Sequence, residues 1–303
     1  MSPLHLAHRP VHLAFRAMST DVTVTVVGAG DDALDWARDR IGQLEQRWSR
    51  FLAHSDISNL NRAEGAPLVV HPDTVAAVRA ACAAWLVTGG RFDPTVHDSL
   101  LRLGYDDTFD VVRERGGGMP TSTLPAPGCA GIEFNETHNM VRLPAHVRLD
   151  LGGIGKGLAA DLTVVGLLER GAEGALVSVG GDLRVAGTPP NGDAWIIEIE
   201  DPRNDQPIAS ISMLSGGVAT STTLRRRWRS GQRPHHHLVA PATGASTTTE
   251  VVGATVVAGT AAWADALSKV PFVDPLQSDC FEHASCLVMY ADGTTTTTGT
   301  FPA

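Results

Sequence analysis

The sequence predicts an α+β fold. Runs of alternating apolar and β-branched residues outnumber helix-like stretches, and several follow one another with only a turn between. A doubly wound sheet would instead alternate strand with helix along the chain. The helix-like stretches carry apolar residues at three- and four-residue steps and stop at glycine or proline.

Taken in order, "TVTVVG" (Thr23 to Gly28) alternates β-branched residues as a strand does. A helix follows, on which Leu34, Ala37, Ile41, Leu44, Trp48 and Phe51 share a face. A second helix begins near His71 and sets Val75, Val78, Cys82 and Trp85 on one side, with Gly89 and Gly90 as its stop. From Asp106 to Gly128 the composition turns to Gly, Pro and Thr, predicting a mobile surface excursion. "VRLDL" (Val147 to Leu151) predicts a strand that feeds a glycine turn and a helix from about Lys156 to Arg170, closed by Gly171. "ALVSVGGD" then predicts strand and turn, "WIIEIE" and "IASISML" a strand each, and "GATVVAG" another. The helix "TAAWADALSKV" is expected to stop before Pro271. A closing hairpin pairs "CLVMY" with "TTTTT" across Asp292–Gly293, a dipeptide suited to a tight turn. No internal repeat is evident, and residues 1–303 are expected to form one domain.

The bulk numbers narrow the functional classes. Charged residues make up 19% and hydrophobic residues 43%, and the net charge is −9, which argues against a general nucleic-acid binder. The four cysteines, Cys82, Cys129, Cys280 and Cys286, show no CxxC spacing, so a structural zinc is not expected and a reducing compartment is. No apolar run approaches the roughly 20 residues of a membrane span. The first residues show neither an uninterrupted apolar core nor a lipid-attachment cysteine. The expectation is a soluble, cytoplasmic protein without membrane insertion.

The stretch "VRLDLGGIGKGLAAD" (Val147 to Asp161) sets an acid, four glycines and a lysine at the seam of strand and helix. A glycine turn that opens a helix offers unpaired N–H groups and the positive end of the helix dipole, which together suit a phosphate. Lys156 in the first helical turn is unfavourable for that dipole unless an anion is present. Asp150 could hold a ribose, a ring edge or a metal; a plain tight turn with a surface lysine explains this stretch equally well. "GGRFDPTV" (Gly89 to Val96) places Phe92 and Asp93 at a proline turn. "GGVATSTTLRRRWRSGQRPHHHLVAPATG" (Gly216 to Gly244) joins a small-residue run, a basic cluster and three histidines. Arg225, Arg226, Arg227 and Arg229 read either as an anion or acidic-partner contact or as a solvated face.

In this order, the stretches resemble the ApbE-like FAD:protein FMN transferases. "FRAMSTDVTV", "RWSRFLAHSDISNLN", "GGRFDPTV", "LDLGGIGKGLAAD", "LVSVGGDLRVAG", "ATS", "HHLVAPATG" and "ADALS" match that family over nearly the whole chain. The resemblance implies an ApbE/T-fold-like architecture of mostly antiparallel sheets packed with helices. It implies transfer of FMN from FAD to a threonine or serine of an acceptor flavoprotein. FAD contacts are implied for Met18, Phe51, Arg91, Phe92, Asp93, Asp150, Lys156 and the backbone near Val239. Magnesium is implied at the Gly153 carbonyl, the Asp265 carboxylate and the residue four further on, and His237 stands at the family's histidine, a candidate general base. The glycines would then let the diphosphate and its metal approach the main chain.

The match departs at that fourth position. The family has threonine there and this chain has Lys269, which as an ammonium offers no ligand and shares a helix face with Asp265. Ser19, Thr222 and Ala240 also replace the family's usual residues. Three outcomes stand open: Lys269 serves as a built-in cation; magnesium still binds with Lys269 swung aside; or the chain binds FAD without transferring it. Hydrolysis of FAD to FMN and AMP is a further alternative.

Overall fold

Residues 9–115, 122–231, 233–275, 279–299 and 301 are described by the computed structural model. Eight strands form its main sheet, in the order Val11–Ala17, Thr20–Val27, Gly174–Val179, Asp182–Gly187, Gly216–Thr222, Val251–Ala258, Ala284–Tyr290 and Thr295–Thr298. Every neighbouring pair is antiparallel. The turn at Gly180–Gly181, where both residues have positive φ, closes a tight hairpin that brings Asp182 to the sheet end.

Alternation along the strands divides the sheet into two apolar faces. Val22, Val24, Val26, Val177 and Val179 meet the helices Asp31–Trp48 and Gly155–Glu169 through Leu34, Ile41, Val164 and Leu167. Further along, Ala254, Val256 and Val288 meet the helix Ala261–Leu267. On the opposite face Leu176, Leu183 and Val185 pack on Trp195, Ile197, Ile199 and Ile211. Those residues belong to a separate two-stranded ribbon, Trp195–Glu200 with Pro207–Met213.

Between Val27 and Gly174 the chain leaves the sheet. It builds the helices Asp56–Arg62, Pro72–Val87, His97–Arg102 and Phe109–Arg115 and a small three-stranded sheet. This part has its own core around Leu44, Trp48, Val78, Phe92, Leu149 and Ile154, which presses the segment Phe92–Val96 against the turn before Gly155. Among the described residues no helix is long and apolar enough to cross a membrane.

Several expectations need correction. The first helix stops at Trp48, because Ser49 turns extended (ψ 119), so Phe51 lies beyond it in a turn. "VRLDL" is alternately buried but forms no strand: the Asn61 side chain both donates to the Leu149 carbonyl (2.9 Å) and accepts from its N–H (2.8 Å). Asn61 thus takes the place of a ladder partner. The span 106–128 contains the helix Phe109–Arg115; its residues 116–121 lie outside the described residues, as do residues 1–8 of the leader reading. Pro271 does not simply end a helix: Ala261–Leu267 closes at Ser268, and Pro271 sits in the first turn of the next helix, Val270–Val273.

The helix Ala261–Leu267 is held at its N-terminus by a carboxylate from another helix. The Asp161 oxygens accept the N–H groups of Ala261 (2.9 Å) and Ala262 (2.8 Å), while Thr260 caps Trp263. Asp161→Ala should therefore lower stability by about 2–4 kcal/mol, since two buried N–H groups lose their acceptor at roughly 1–3 kcal/mol each. Urea unfolding at neutral pH checks this, and a loss below about 1 kcal/mol would contradict the role given to Asp161.

Candidate active site

A cleft of about 600 Å³ opens between the sheet end, the inserted helical part and the segments at Arg225–Arg226 and His237–Val239. Met18, Phe51, Arg91, Phe92, Asp93, Asp150, Gly153, Lys156, His237, Val239 and Lys269 all line it. Asp265 is fully buried just behind the wall and touches both lysines. Residues separated by most of the chain therefore converge on one place.

Met18 reaches the cleft from a two-residue turn in which Met18 and Ser19 both have positive φ, as the hairpin Val11–Ala17/Thr20–Val27 requires. Phe51 faces Tyr105 at 6.0 Å between ring centroids, and the Arg50 guanidinium lies over both rings at 4.2 and 4.8 Å. Arg50 also pairs with Asp150 at 2.8 Å, and the other Asp150 oxygen accepts the Gly152 N–H. Asp150 is thus committed to shaping the turn. Arg91 pairs with Asp274 at 3.0 Å on the rim. Asp93 is buried, which raises its carboxyl above the usual range; it accepts the backbone N–H of Thr95 at 2.8 Å. That ties the Asp-Pro-Thr turn together. Val239 lies in a short pair, Val239–Ala240 with Ala245–Ser246.

The glycine turn differs from the expectation of a bare anion cradle. The N–H groups of Gly152, Ile154, Gly155 and Gly157 already bond Asp150, Leu151, Leu151 and Asp265. A Cβ on Gly157 would stand 2.2 Å from the Ala261 carbonyl oxygen, so this glycine is required by helix contact. A Cβ on Gly153 would stand 3.0 Å from the Phe92 ring and 3.5 Å from Lys269 Cε. Positive charge at the turn comes from side chains instead.

Those side chains form a buried cluster of two ammoniums and two carboxylates. Lys156 contacts Asp182 directly and lies 3.6 Å from Asp265 Oδ2. Lys269 contacts Asp265 Oδ1, donates to the Asp265 carbonyl oxygen at 2.6 Å and reaches Ser268 Oγ at 3.3 Å. Burial disfavours the Lys156 ammonium, but Asp182 and Asp265 outweigh it and hold its pKa above the ordinary value. Burial also disfavours the Asp265 carboxylate, yet Lys156 and Lys269 hold its pKa low. Burial, with Asp265 beside it, pushes Asp182 up.

Magnesium does not fit this donor set. Oδ1 of Asp265 is capped by Lys269, Oδ2 by the Gly157 N–H at 3.2 Å, and the main-chain oxygen by Lys269 again. Among the described residues no three His, Cys, Asp or Glu side chains converge on a common point. Hard divalent cations need several oxygen ligands, and an ammonium occupies the position where one would add.

His237, which also lines the cleft, is held far below the usual histidine range, first by burial and then by Arg226 and Lys269. Its Nδ1 is buried with no partner, as are Trp48 Nε1 and Thr247 Oγ1, and all three residues line the cleft. Orphaned buried polar atoms are uncommon, so their gathering here marks where a polar ligand would complete the bonding. Sequence reasoning missed Arg50, Tyr105 and Asp182. "GGD" after the strand was the available signal for Asp182, while Arg50 and Tyr105 gave none beyond sitting beside matched stretches.

The comparisons agree with this architecture. The model of the ApbE family matches residues 18–281. An FAD:protein FMN transferase of Treponema pallidum is 28% identical over 244 residues, covering 75% of this chain and 67% of that protein. One from Vibrio cholerae is 28% identical over 272 residues, covering 85% and 79%. The crystal structure of an ApbE protein from Thermotoga maritima superposes with a TM-score of 0.86 at 27% identity, covering 97% of this chain and 98% of that one. The apo flavinyl transferase ApbE of Pseudomonas stutzeri, at 22% identity and a TM-score of 0.77 over 96% and 95% of the chains, shares the fold.

Proposed function

The chain belongs to the ApbE family, and on that premise we propose that it is an FAD:protein FMN transferase whose acceptor is a threonine or serine of another protein. The observation that carries this reading is the meeting, in one cleft, of a lysine pair with a histidine whose Nδ1 is buried without a partner. Breaking a diphosphate needs charge neutralisation on one side and a proton acceptor on the other.

In this reading the acceptor hydroxyl oxygen attacks the phosphorus of the FMN half of FAD. A new phosphorus–oxygen ester bond forms and the bond to the bridging oxygen breaks, releasing AMP. The hydroxyl proton passes to His237, whose imidazole is uncharged at neutral pH. Lys156 and Lys269 offset the charge that grows on the departing phosphate. Phe51 and Tyr105 offer an aromatic wall for a planar ring, and Arg91 and Arg226 lie on the cleft where the other half of the dinucleotide must pass. No step runs through magnesium, since Lys269 already bonds the Asp265 carboxylate and carbonyl oxygens.

Incubation with FAD and a candidate acceptor flavoprotein tests the proposal by intact mass. The expected result is acceptor heavier by one FMN phosphoester, with AMP released in equal amount. Release of free FMN without labelled acceptor would make the chain a hydrolase, and intact FAD would make it a carrier; either result overturns the transferase reading.

A further inference from the structure

We propose that the Lys269 ammonium is this chain's own substitute for a divalent cation, so that it grips the diphosphate of FAD without metal. The inference rests on the transferase reading for its ligand but concerns one residue that neither the family match nor the relatives assign.

Three observations carry it. Lys269 Nζ bonds Asp265 twice, at the carboxylate and at the carbonyl oxygen (2.6 Å), so a positive charge already occupies the Asp265 oxygen that a metal would need. Its third neighbour, Ser268 Oγ, is the longest at 3.3 Å, so three acceptors match the three N–H groups of an ammonium, with the hydroxyl the weakest to exchange for a phosphate oxygen. Its aliphatic stem lies over the glycine turn, 3.5 Å from where a Cβ on Gly153 would be, and the residue lines the cleft. The charge therefore sits at the turn from which most backbone amides have been withdrawn by internal bonds.

The cluster is also balanced. Lys156 and Lys269 oppose Asp182 and Asp265, and each carboxylate already has an ammonium in contact. Entry of a divalent cation would add two charges beside the ammonium it must displace from both Asp265 oxygens. A diphosphate, in contrast, offers oxygen acceptors to ammoniums already in place, and need displace only the weak Ser268 Oγ contact of Lys269.

The test measures FAD affinity by quenching of flavin fluorescence, in EDTA and in millimolar magnesium. Wild-type protein is expected to give dissociation constants that agree within about twofold. Lys269→Thr should bind FAD at least tenfold more weakly in EDTA and regain most of that loss when magnesium is added. A tenfold or greater gain of wild-type affinity on adding magnesium would overturn the proposal, and so would equal affinity of Lys269→Thr and wild type in EDTA. Should Lys269→Thr fail to fold, paramagnetic titration of wild type with Mn2+ in the presence of FAD decides the matter. Free Mn2+ signal undiminished supports the lysine, and stoichiometric Mn2+ uptake overturns it. Failure of wild type to bind FAD under any condition sinks the transferase reading and this inference together, whereas metal-dependent binding sinks only the latter.

Discussion

Replacing His237 with alanine should slow FMN transfer by about 10²–10⁴-fold, the usual loss when a positioned base is removed. FAD affinity should change by less than about threefold, because the lysine pair and the aromatic wall remain. Added imidazole is expected to restore part of the rate. The sign of the pH dependence follows from the environment of the ring. Burial first, and then the charges of Arg226, Lys269 and Lys156 with His236 beside them, depress its folded-state pKa well below the free value. The imidazole thus stays unprotonated as pH falls through about 6.5, where a free histidine is half charged. The acid limb of the transfer rate should lie below that point. Stability moves with the same linkage: below about 6.5 the unfolded chain takes up a proton that the folded chain refuses, so stability falls with falling pH until the folded value is reached. A rate profile that halves at 6.5 or above in wild type, or a His237→Ala enzyme that transfers at the wild-type rate, would contradict the assignment.

Gly157→Ala should cost about 3 kcal/mol or more and weaken FAD binding with it. The added Cβ would meet the Ala261 carbonyl oxygen at 2.2 Å, its carbon at 2.5 Å and the Ala262 nitrogen at 2.8 Å. These are backbone atoms at the start of a helix, and no side-chain rotation relieves them. The helix Ala261–Leu267 must move away, taking Asp265 and, beyond its end, Lys269 off the glycine turn. Gly155→Ala is the control, since its Cβ would find ordinary contacts at 3.6 and 3.8 Å. Alanine there should leave stability within about 1 kcal/mol or raise it, given its better helix propensity. Thermal and urea melts of the two variants compare them directly; similar behaviour would show that the close approach of the two helices is not what fixes Gly157.

Much of this architecture was legible in the residues, and the gaps have physical causes. The strand Trp195–Glu200 and the closing hairpin alternate apolar and polar residues and were readable from that alone. The central strand Gly216–Thr222 was not, because its residues are small. Gly217 in it has no room for a Cβ, which would meet the Ala261 nitrogen at 2.1 Å, so helix contact stripped it of the pattern that marks a strand. The edge strand Val11–Ala17 alternates as well, with Val11, Leu13 and Phe15 against the core. "VRLDL" shows the reverse error, since alternation reports which side is buried and not whether another strand lies alongside.

The site was legible in its members more than in its bonds. Lys269 and Asp265 are four apart on the chain, and their contact could be read from that spacing. The Lys156–Asp182 contact could not, because it depends on a hairpin and a helix meeting in space. Nor could the closure of the glycine turn. Its amides look available in the sequence, and only the folded positions of Asp150 and Asp265 reveal that they are occupied. The charge at the turn is that of the lysine pair.

A crystal structure with FAD bound in the presence of EDTA tests this arrangement most directly. The account predicts the diphosphate within hydrogen-bonding distance of Lys156 Nζ and Lys269 Nζ, with His237 on the side from which a hydroxyl would reach the FMN phosphorus. A diphosphate lodged away from both lysines, or FAD that enters the crystal only when a divalent ion bridges it to Asp265, would contradict it.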